Sequence, residues 1–270
     1  MRALISALTD GGDSRLDVAA LDLAIIEFPL LVAEPYLQRL DEMGLELADE
    51  TEGMSGPEFL ARANTYFFDD IGFRGNEGNY YDPRNSCLSW VLDQRTGIPI
   101  TLSLVYIEVA RRVGRPIAGV GLPGHFIVRY DDGEYATYLD PFNGGKLLDR
   151  EACRQLARSI VGSEALSDPH LLRPVGPRYI LIRMLNNLRA AYFRREDFER
   201  AATVLDILIQ ASPGSAGYYK GRGIANVHLR RFRAASEDFE EYLRLNPHAE
   251  DREEIVKQLV VIHRWLSTLN

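Results

Sequence analysis

His125 and Asp140 are the residues whose types and spacing could do chemistry. They end the segment HFIVRYDDGEYATYLD, where Asp132-Gly133 separates two alternating, β-prone runs, the pattern of a tight hairpin. A two-residue turn at Asp132-Gly133 pairs Asp131 with Glu134 and, counting outward, His125 with Asp140. Facing residues in such a ladder hold their Cβ atoms about 4.5–5.5 Å apart. A carboxylate across from an imidazole orients a general base and stabilises its protonated form. The same pair could instead be a structural hydrogen bond that pins the hairpin, with Asp140-Pro141 opening the turn into PFNGG.

A base of this kind needs a nucleophile. The chain has 2 Cys and 5 His. Cys87 follows Asn85-Ser86 and precedes His125 and Asp140 in the chain. On a short helix predicted over Ser86–Gln94, a capping Ser86 would leave that thiol in a field favouring thiolate. A free Cys is more often a small buried apolar residue. Thr101 and Ser103 open the next predicted helix, Pro99–Val113. A hydroxyl there would need His125 as a full general base, and a Thr near a helix start ordinarily caps or packs. Arg84 and Asn85 lie on the Gly-, Asn- and Pro-rich stretch 72–86 (GFRGNEGNYYDPRNS). They suit binding, or holding that long loop down.

The positioning elements follow from periodicity. Leu16, Ala19, Ala20, Leu23 and Ile26 form a helical stripe, Pro35–Leu47 a second, and Pro57 starts a third carrying Phe59, Ala63, Phe67 and Phe68. Strands are expected at Pro116–Gly121, His125–Asp131 and Glu134–Asp140, then a helix at Leu148–Val161. Residues 162–176 read as a linker. Beyond it the pattern repeats every 34 residues: Phe198 as Phe232, Ala201 as Ala235, Leu205 as Phe239, Pro213 as Pro247. That is the tetratricopeptide signature, with repeats over about Ile182–Ser215 and Ala216–Ala249 and a capping helix at Asp251–Leu266. Arg222, Asn226 and Arg230, taken as lying on the first helix of the second repeat, would face a concave groove and suit an acidic or C-terminal carboxylate ligand.

The bulk numbers set the class. With 270 residues, 46% hydrophobic and 26% charged, this is ordinary globular composition for one large or two modest domains. From Pro177 onward there are 15 Lys/Arg against 12 Asp/Glu, and before it 16 against 27, so +3 faces −11. The contrast argues for two domains, and the lack of a dense basic stripe argues against nucleic acid. No leader pattern or membrane-length apolar run occurs, and two cysteines suit a reducing cytoplasm. His170, His228, His248 and His263 are scattered, so no metal or cofactor set is expected. PFNGGK lacks the context of a phosphate loop.

GIPITLSLVYIEVARRVGRPIAGVGLPGHFIVRY followed by YLDPF resembles the core of the transglutaminase-like fold. There a helix carries the nucleophilic Cys at its start, a Gly-x-Pro turn follows (here Gly114-Arg115-Pro116), and two adjacent strands carry His and Asp. This chain departs from the pattern with Ile100, Thr101 and Ser103 at that helix start. Together with GFRGNEGNYYDPRNS, GLPGHF and YLDPFNGG, the chain resembles a bacterial family that joins such a domain to tetratricopeptide repeats, the invasion-gene regulator or Sir B-type family, over roughly residues 15 to 265. The resemblance implies an α+β, papain-like transglutaminase-type domain with a short antiparallel sheet over residues 1–165. An all-α repeat domain then follows over 178–270. The leading expectation is a non-catalytic or degenerate member that binds a protein or peptide partner through the repeat groove. The alternative is a cysteine-dependent amide hydrolase or acyl transferase using Cys87, His125 and Asp140.

Overall fold

The helical stripes of the N-terminal third fold as α1 (Arg2–Thr9), α2 (Leu16–Ala24), α3 (Glu34–Thr51) and α4 (Gly56–Asn64). The computed structural model describes residues 1–9, 15–161 and 170–267. The Glu58 carboxylate accepts from both the backbone N–H and the hydroxyl of Ser55, which fixes the start of α4. The helix runs on into a π-helical turn, Thr65–Asp70, and that wider turn carries Phe67 into a ring stack on Tyr106, centroids 4.4 Å apart.

The stretch 72–86 is more ordered than its composition suggests. Strand β1 (Arg74–Gly75) pairs in parallel with β2 (Thr96–Gly97), and Pro83–Ser86 form a 3-10 turn. Helix α5 (Leu88–Gln94) and helix α6 (Pro99–Arg112) follow. Every residue of α6 from Pro99 to Ala110 is buried, as befits a helix apolar on nearly all sides. Its C-terminal end is tied down by ions: Arg112 reaches Asp17 at 2.7 Å, Asp41 at 2.6 Å and Glu108 at 3.0 Å.

Gly114, with φ of 76°, lets the chain reverse into the sheet. The strands are β3 (Ile117–Leu122), β4 (His125–Asp131), β5 (Ala136–Asp140), β6 (Lys146–Leu148) and β7 (Pro174–Val175), with α7 (Arg150–Val161) between the last two. Sheet order is β6-β5-β4-β3-β7, and all four pairings are antiparallel. Val120, Leu122, Ile127, Tyr138, Leu148, Cys153 and Leu172 form its buried core.

The hairpin register differs from the expected one. Asp131 pairs with Ala136, not Glu134, and Val128 with Leu139. The loop holds four residues because the Asp132 carboxylate accepts from the backbone N–H groups of Glu134 at 3.0 Å and Tyr135 at 2.7 Å, an Asx turn. A shift of two keeps every side chain on its face. His125 and Asp140 are therefore diagonal neighbours, not facing ones.

Contacts divide the chain into two units, Met1–Met184 and Leu185–Asn270. The second is helical: the later turns of α8 (Pro177–Arg194), then α9 (Phe198–Ala211), α10 (Ala216–His228), α11 (Phe232–Leu245) and α12 (Arg252–Ser267). Ala201 and Ala235 are fully buried, and Gly223 lies so close to Phe239 that a Cβ would sit 2.7 Å from its ring. Glu196 and Arg230, one repeat apart, turn the two helix pairs with φ of 58° and 57°. Of the expected linker, residues 162–169 lie outside the described residues. Pro174–Val175 pairs with β3, so its last part belongs to the sheet.

Candidate functional site

His125 opens β4 and Asp140 closes β5, and both are buried, 7% and 2% exposed. His125 Nε2 lies 2.9 Å from Asp140 Oδ2. Asp140 also accepts from Asn143 Nδ2 at 2.7 Å and from the Phe142 backbone N–H at 3.2 Å. Burial pushes this carboxyl up, but the hydrogen bond and charge of His125, with Asn143, outweigh it and hold it below the usual carboxylate range. With Nε2 held by Asp140, Nδ1 is the nitrogen left for proton exchange. The Arg183 guanidinium clamps the turn before His125, donating to the carbonyls of Leu122 and His125, both at 2.8 Å. Phe142 meets the imidazole edge-on, centroids 6.0 Å apart.

The surrounding loops are held by amides. Asn85, 1% exposed, donates to the carbonyls of Asn79 at 2.7 Å and Tyr80 at 3.2 Å and accepts from Asn76 Nδ2 at 3.0 Å. Arg84 forks onto buried Asp82, with Nη2 at 2.6 Å, and lies over the Trp90 ring at 4.3 Å. Both residues hold the loop down. Asn64, which the sequence did not single out, donates to the Gly145 carbonyl at 2.8 Å and accepts from the Tyr106 hydroxyl at 3.1 Å. Gly145 has φ of 71°, and a Cβ there would collide with Asn64. That explains the second glycine of PFNGG.

The three expected nucleophiles are engaged elsewhere or out of reach. Cys87 is the N-cap of α5, not a residue inside it, because Ser86 still belongs to the 3-10 turn. It is fully buried, and its thiol faces the Pro83 carbonyl at 3.8 Å. Burial first, then the charges of Glu27 and Asp82, push that thiol well above its ordinary value. The thiolate-favouring field expected at this helix start is overridden by desolvation. Thr101 donates to the Asn85 carbonyl at 2.7 Å and accepts from the Ile98 N–H at 3.2 Å, so it caps α6 and packs the loop. The buried Ser103 hydroxyl has no hydrogen-bond partner among the described residues, and so none with His125. Among the described residues no three His, Cys, Asp or Glu side chains gather as a metal site, and no helix is long and apolar enough to cross a membrane.

Residues 34–186 match the transglutaminase-like superfamily, more than half of the 270 residues. The chain belongs to the transglutaminase-like superfamily. Residues 188–260 of this transglutaminase-like chain match the tetratricopeptide repeat. A UPF0162 protein of Xylella fastidiosa (strain Temecula1) is 39% identical over 232 residues, covering 84% of this chain and 83% of that one. F-box only protein 21 of Mus musculus is 34% identical over 156 residues, which is 55% of this chain and 24% of the mouse protein. A solved structure, the first TPR of Spaghetti (RPAP3) bound to HSP90 peptide SRMEEVD, is 22% identical and covers 43% of this chain and 75% of its own. The TM-score is 0.29.

In the repeats of this transglutaminase-like protein, Arg222 and Asn226 lie on α10 as expected, but neighbouring carboxylates engage them. Arg222 donates to Asp238 on α11 at 2.7 Å and to Asp206 on α9 at 2.6 Å. Asn226 Nδ2 donates to Asp238 at 2.9 Å. Arg230 lies beyond the end of α10, in the turn before α11. The groove between α10 and α12, a cavity of about 420 Å3, is lined chiefly by Ile224, Val227, His228, Phe232, Val261 and Ile262. Arg222 and Asn226 line a separate polar groove of about 450 Å3 with Tyr219, Arg231 and Asp238.

Proposed function

We propose that this protein acts by binding other proteins, through a transglutaminase-like domain (residues 1–165) that has kept its His–Asp pair without a competent nucleophile, and a repeat domain (178–270) that engages a protein or peptide partner. The observation that carries this reading is the state of Cys87: fully buried, with its thiol turned to the Pro83 carbonyl and its proton held by desolvation. Thr101 is occupied by Asn85. In this reading Asp140 serves as an anchor for the PFNGG loop, and the apolar α10–α12 groove takes side chains of the partner. The free thiols of Cys87 and Cys153 favour a reducing, cytoplasmic setting, and a regulatory role exerted through protein contacts agrees with the family resemblance.

Alkylation tests the reading directly. With iodoacetamide at neutral pH, Cys87 of the native protein reacts at least about a hundredfold more slowly than free cysteine, as a buried protonated thiol does. The rate is the same in His125→Ala. Rapid labelling that depends on His125 would replace this reading with the second one, an amide hydrolase or acyl transferase using Cys87, His125 and Asp140. What favours that second reading is the retained 2.9 Å contact, which leaves Nδ1 for a nucleophile.

A further inference from the structure

The two repeats start their second helices from the same turn with opposite charge. Glu196-Asp197-Phe198-Glu199 in the first becomes Arg230-Arg231-Phe232-Arg233 in the second. The backbone is shared, with φ of 58° at Glu196 and 57° at Arg230. Asp197 caps α9, accepting from the Arg200 backbone N–H at 3.1 Å. Arg231, at the matching place before α11, makes no such cap. Anionic residues favour the start of a helix and cationic ones oppose it. The first version therefore serves the fold better, and the three arginines answer to something other than folding.

Arg231 has a counter-ion, Glu199 of the first repeat, at 2.7 Å. The guanidiniums of Arg230 and Arg233 have none among the described residues. With Phe232, Trp265 and Leu266 the three arginines line a groove of about 610 Å3, and Glu237 is the single carboxylate among the described residues lining it. Trp265 is 52% exposed, and its ring centroid lies 5.1 Å from that of Phe232. Phe232 also lines the apolar α10–α12 groove, as does Val261, which is 64% exposed. The two grooves thus meet at Phe232, one apolar and the other cationic. Arg230, Arg233 and Trp265 are not part of the polar groove that Arg222 lines.

Unmatched guanidiniums beside an apolar trough call for a ligand that carries both carboxylates and apolar side chains. The neighbouring surface limits how far its negative charge extends. Helices α11 and α12 also carry Glu237, Glu240, Glu241, Glu253 and Glu254. A nucleic acid, charged along its whole length, would meet those carboxylates, whereas a short acidic stretch need touch only the arginines.

We propose that the Arg230–Arg233 turn and the α10–α12 groove together form a docking site for a partner-protein segment in which acidic residues adjoin apolar ones. This rests on the reading that the repeats engage a protein partner, and it names the chemistry of that partner. The acidic residues pair with Arg230 and Arg233, and the apolar ones cover Phe232 and Val261.

The test uses the full chain and a fluorescein-labelled peptide with the core Asp-Glu-Leu-Phe, followed by anisotropy. The peptide gives a saturable rise. Its neutral counterpart, Asn-Gln-Leu-Phe, binds about tenfold more weakly, since exposed charge pairs contribute severalfold each. Replacing Leu-Phe by Ser-Ser weakens binding at least as much. Arg230→Glu/Arg233→Glu, which restores the charges of the first repeat, abolishes binding without lowering the melting temperature, because it suits the start of α11 better. Val261→Asp also weakens binding about tenfold at an unchanged melting temperature, as expected for an exposed position.

Equal affinity for the acidic and neutral peptides overturns the proposal but keeps the repeats as a peptide-binding domain. No response to either peptide also overturns it. The alkylation of Cys87 does not depend on this surface and then decides the wider reading by itself. Binding of duplex DNA in place of the peptide overturns the proposal and assigns the arginines to phosphates. A dimer that Arg230→Glu/Arg233→Glu dissociates, measured by light scattering, overturns it in favour of a second copy of this chain.

Discussion

Two buried carboxylates organise the two units, and they do so with different partners. Asp140 in the first unit and Asp238 in the second are 2% and 3% exposed, and each gathers at least two side chains. Asp140 holds an imidazole and an amide. Asp238 holds a guanidinium and an amide. The guanidinium is a permanent charge: burial lowers the Arg222 pKa, but the hydrogen bonds from Asp238 and Asp206 outweigh it and the net shift is upward. One carboxylate is thus part of a fixed ionic joint between three helices, and the other holds an imidazole, the side-chain type most often used to carry a proton in general acid–base chemistry. Chemistry, where this fold performs any, belongs to the second kind.

The largest effect is expected at the fixed joint. Asp238→Ala leaves Arg222 with only the exposed Asp206 and strands the buried Asn226 amide. Removing one member of a buried ion pair costs about 3–5 kcal/mol. Urea unfolding followed by circular dichroism measures it on the helical signal of the repeats. A cost below about 1 kcal/mol, the range of exposed pairs, would mean that Asp206 alone carries Arg222 and that the two carboxylates are not comparable.

A smaller effect separates anchoring from chemistry around His125. Thr101→Val keeps the side-chain shape but leaves the carbonyl of Asn85 and the N–H of Ile98 without their partner. Orphaned buried groups of this kind cost about 1–3 kcal/mol. Thr101→Ser restores the hydroxyl and most of that loss. If both variants melt like the parent, Thr101 is not what holds the 72–86 loop, and the Asn85 amide must do so alone.

Much of this was legible in the sequence. The 34-residue period located the repeat helices because each repeat must bury the same positions against its neighbour, as Ala201 and Ala235 do. The alternation of HFIVRY and YATYLD put His125 and Asp140 on one face, and a register error of two could not change that. The error arose because Asp132 was read as a turn residue and not as an acceptor for Glu134 and Tyr135. Strands β6 and β7 are three and two residues long, too short for any period to register. The engagement of Arg222 by carboxylates has a longer-range cause. Which face of α10 meets which neighbour is decided by Asp206 and Asp238, each 16 residues away, and local pattern carries no trace of that pairing. For Cys87 the sequence offered both a thiolate at a helix start and a small buried apolar residue, and its full burial is a tertiary property that local pattern does not carry.

The smallest effect is the most specific to the titratable pair. The folded pKa of Asp140 lies below its ordinary value, so the ionised form is favoured by folding. Its contribution is fully present above the unfolded value of about 3.9 and is lost as pH falls through the lower folded value. Asp140→Asn retains shape and one acceptor oxygen while removing the charge, at a cost of about 1 kcal/mol at neutral pH. Denaturant midpoints of parent and variant should therefore keep a constant gap from pH 7 to about 5 and converge below about 4, where the parent carboxylate takes up its proton. A gap that persists unchanged to pH 2 would show that Asp140 acts by shape alone. His125 would then be held by packing against Phe142, and the resemblance of this pair to a catalytic one would be geometric only.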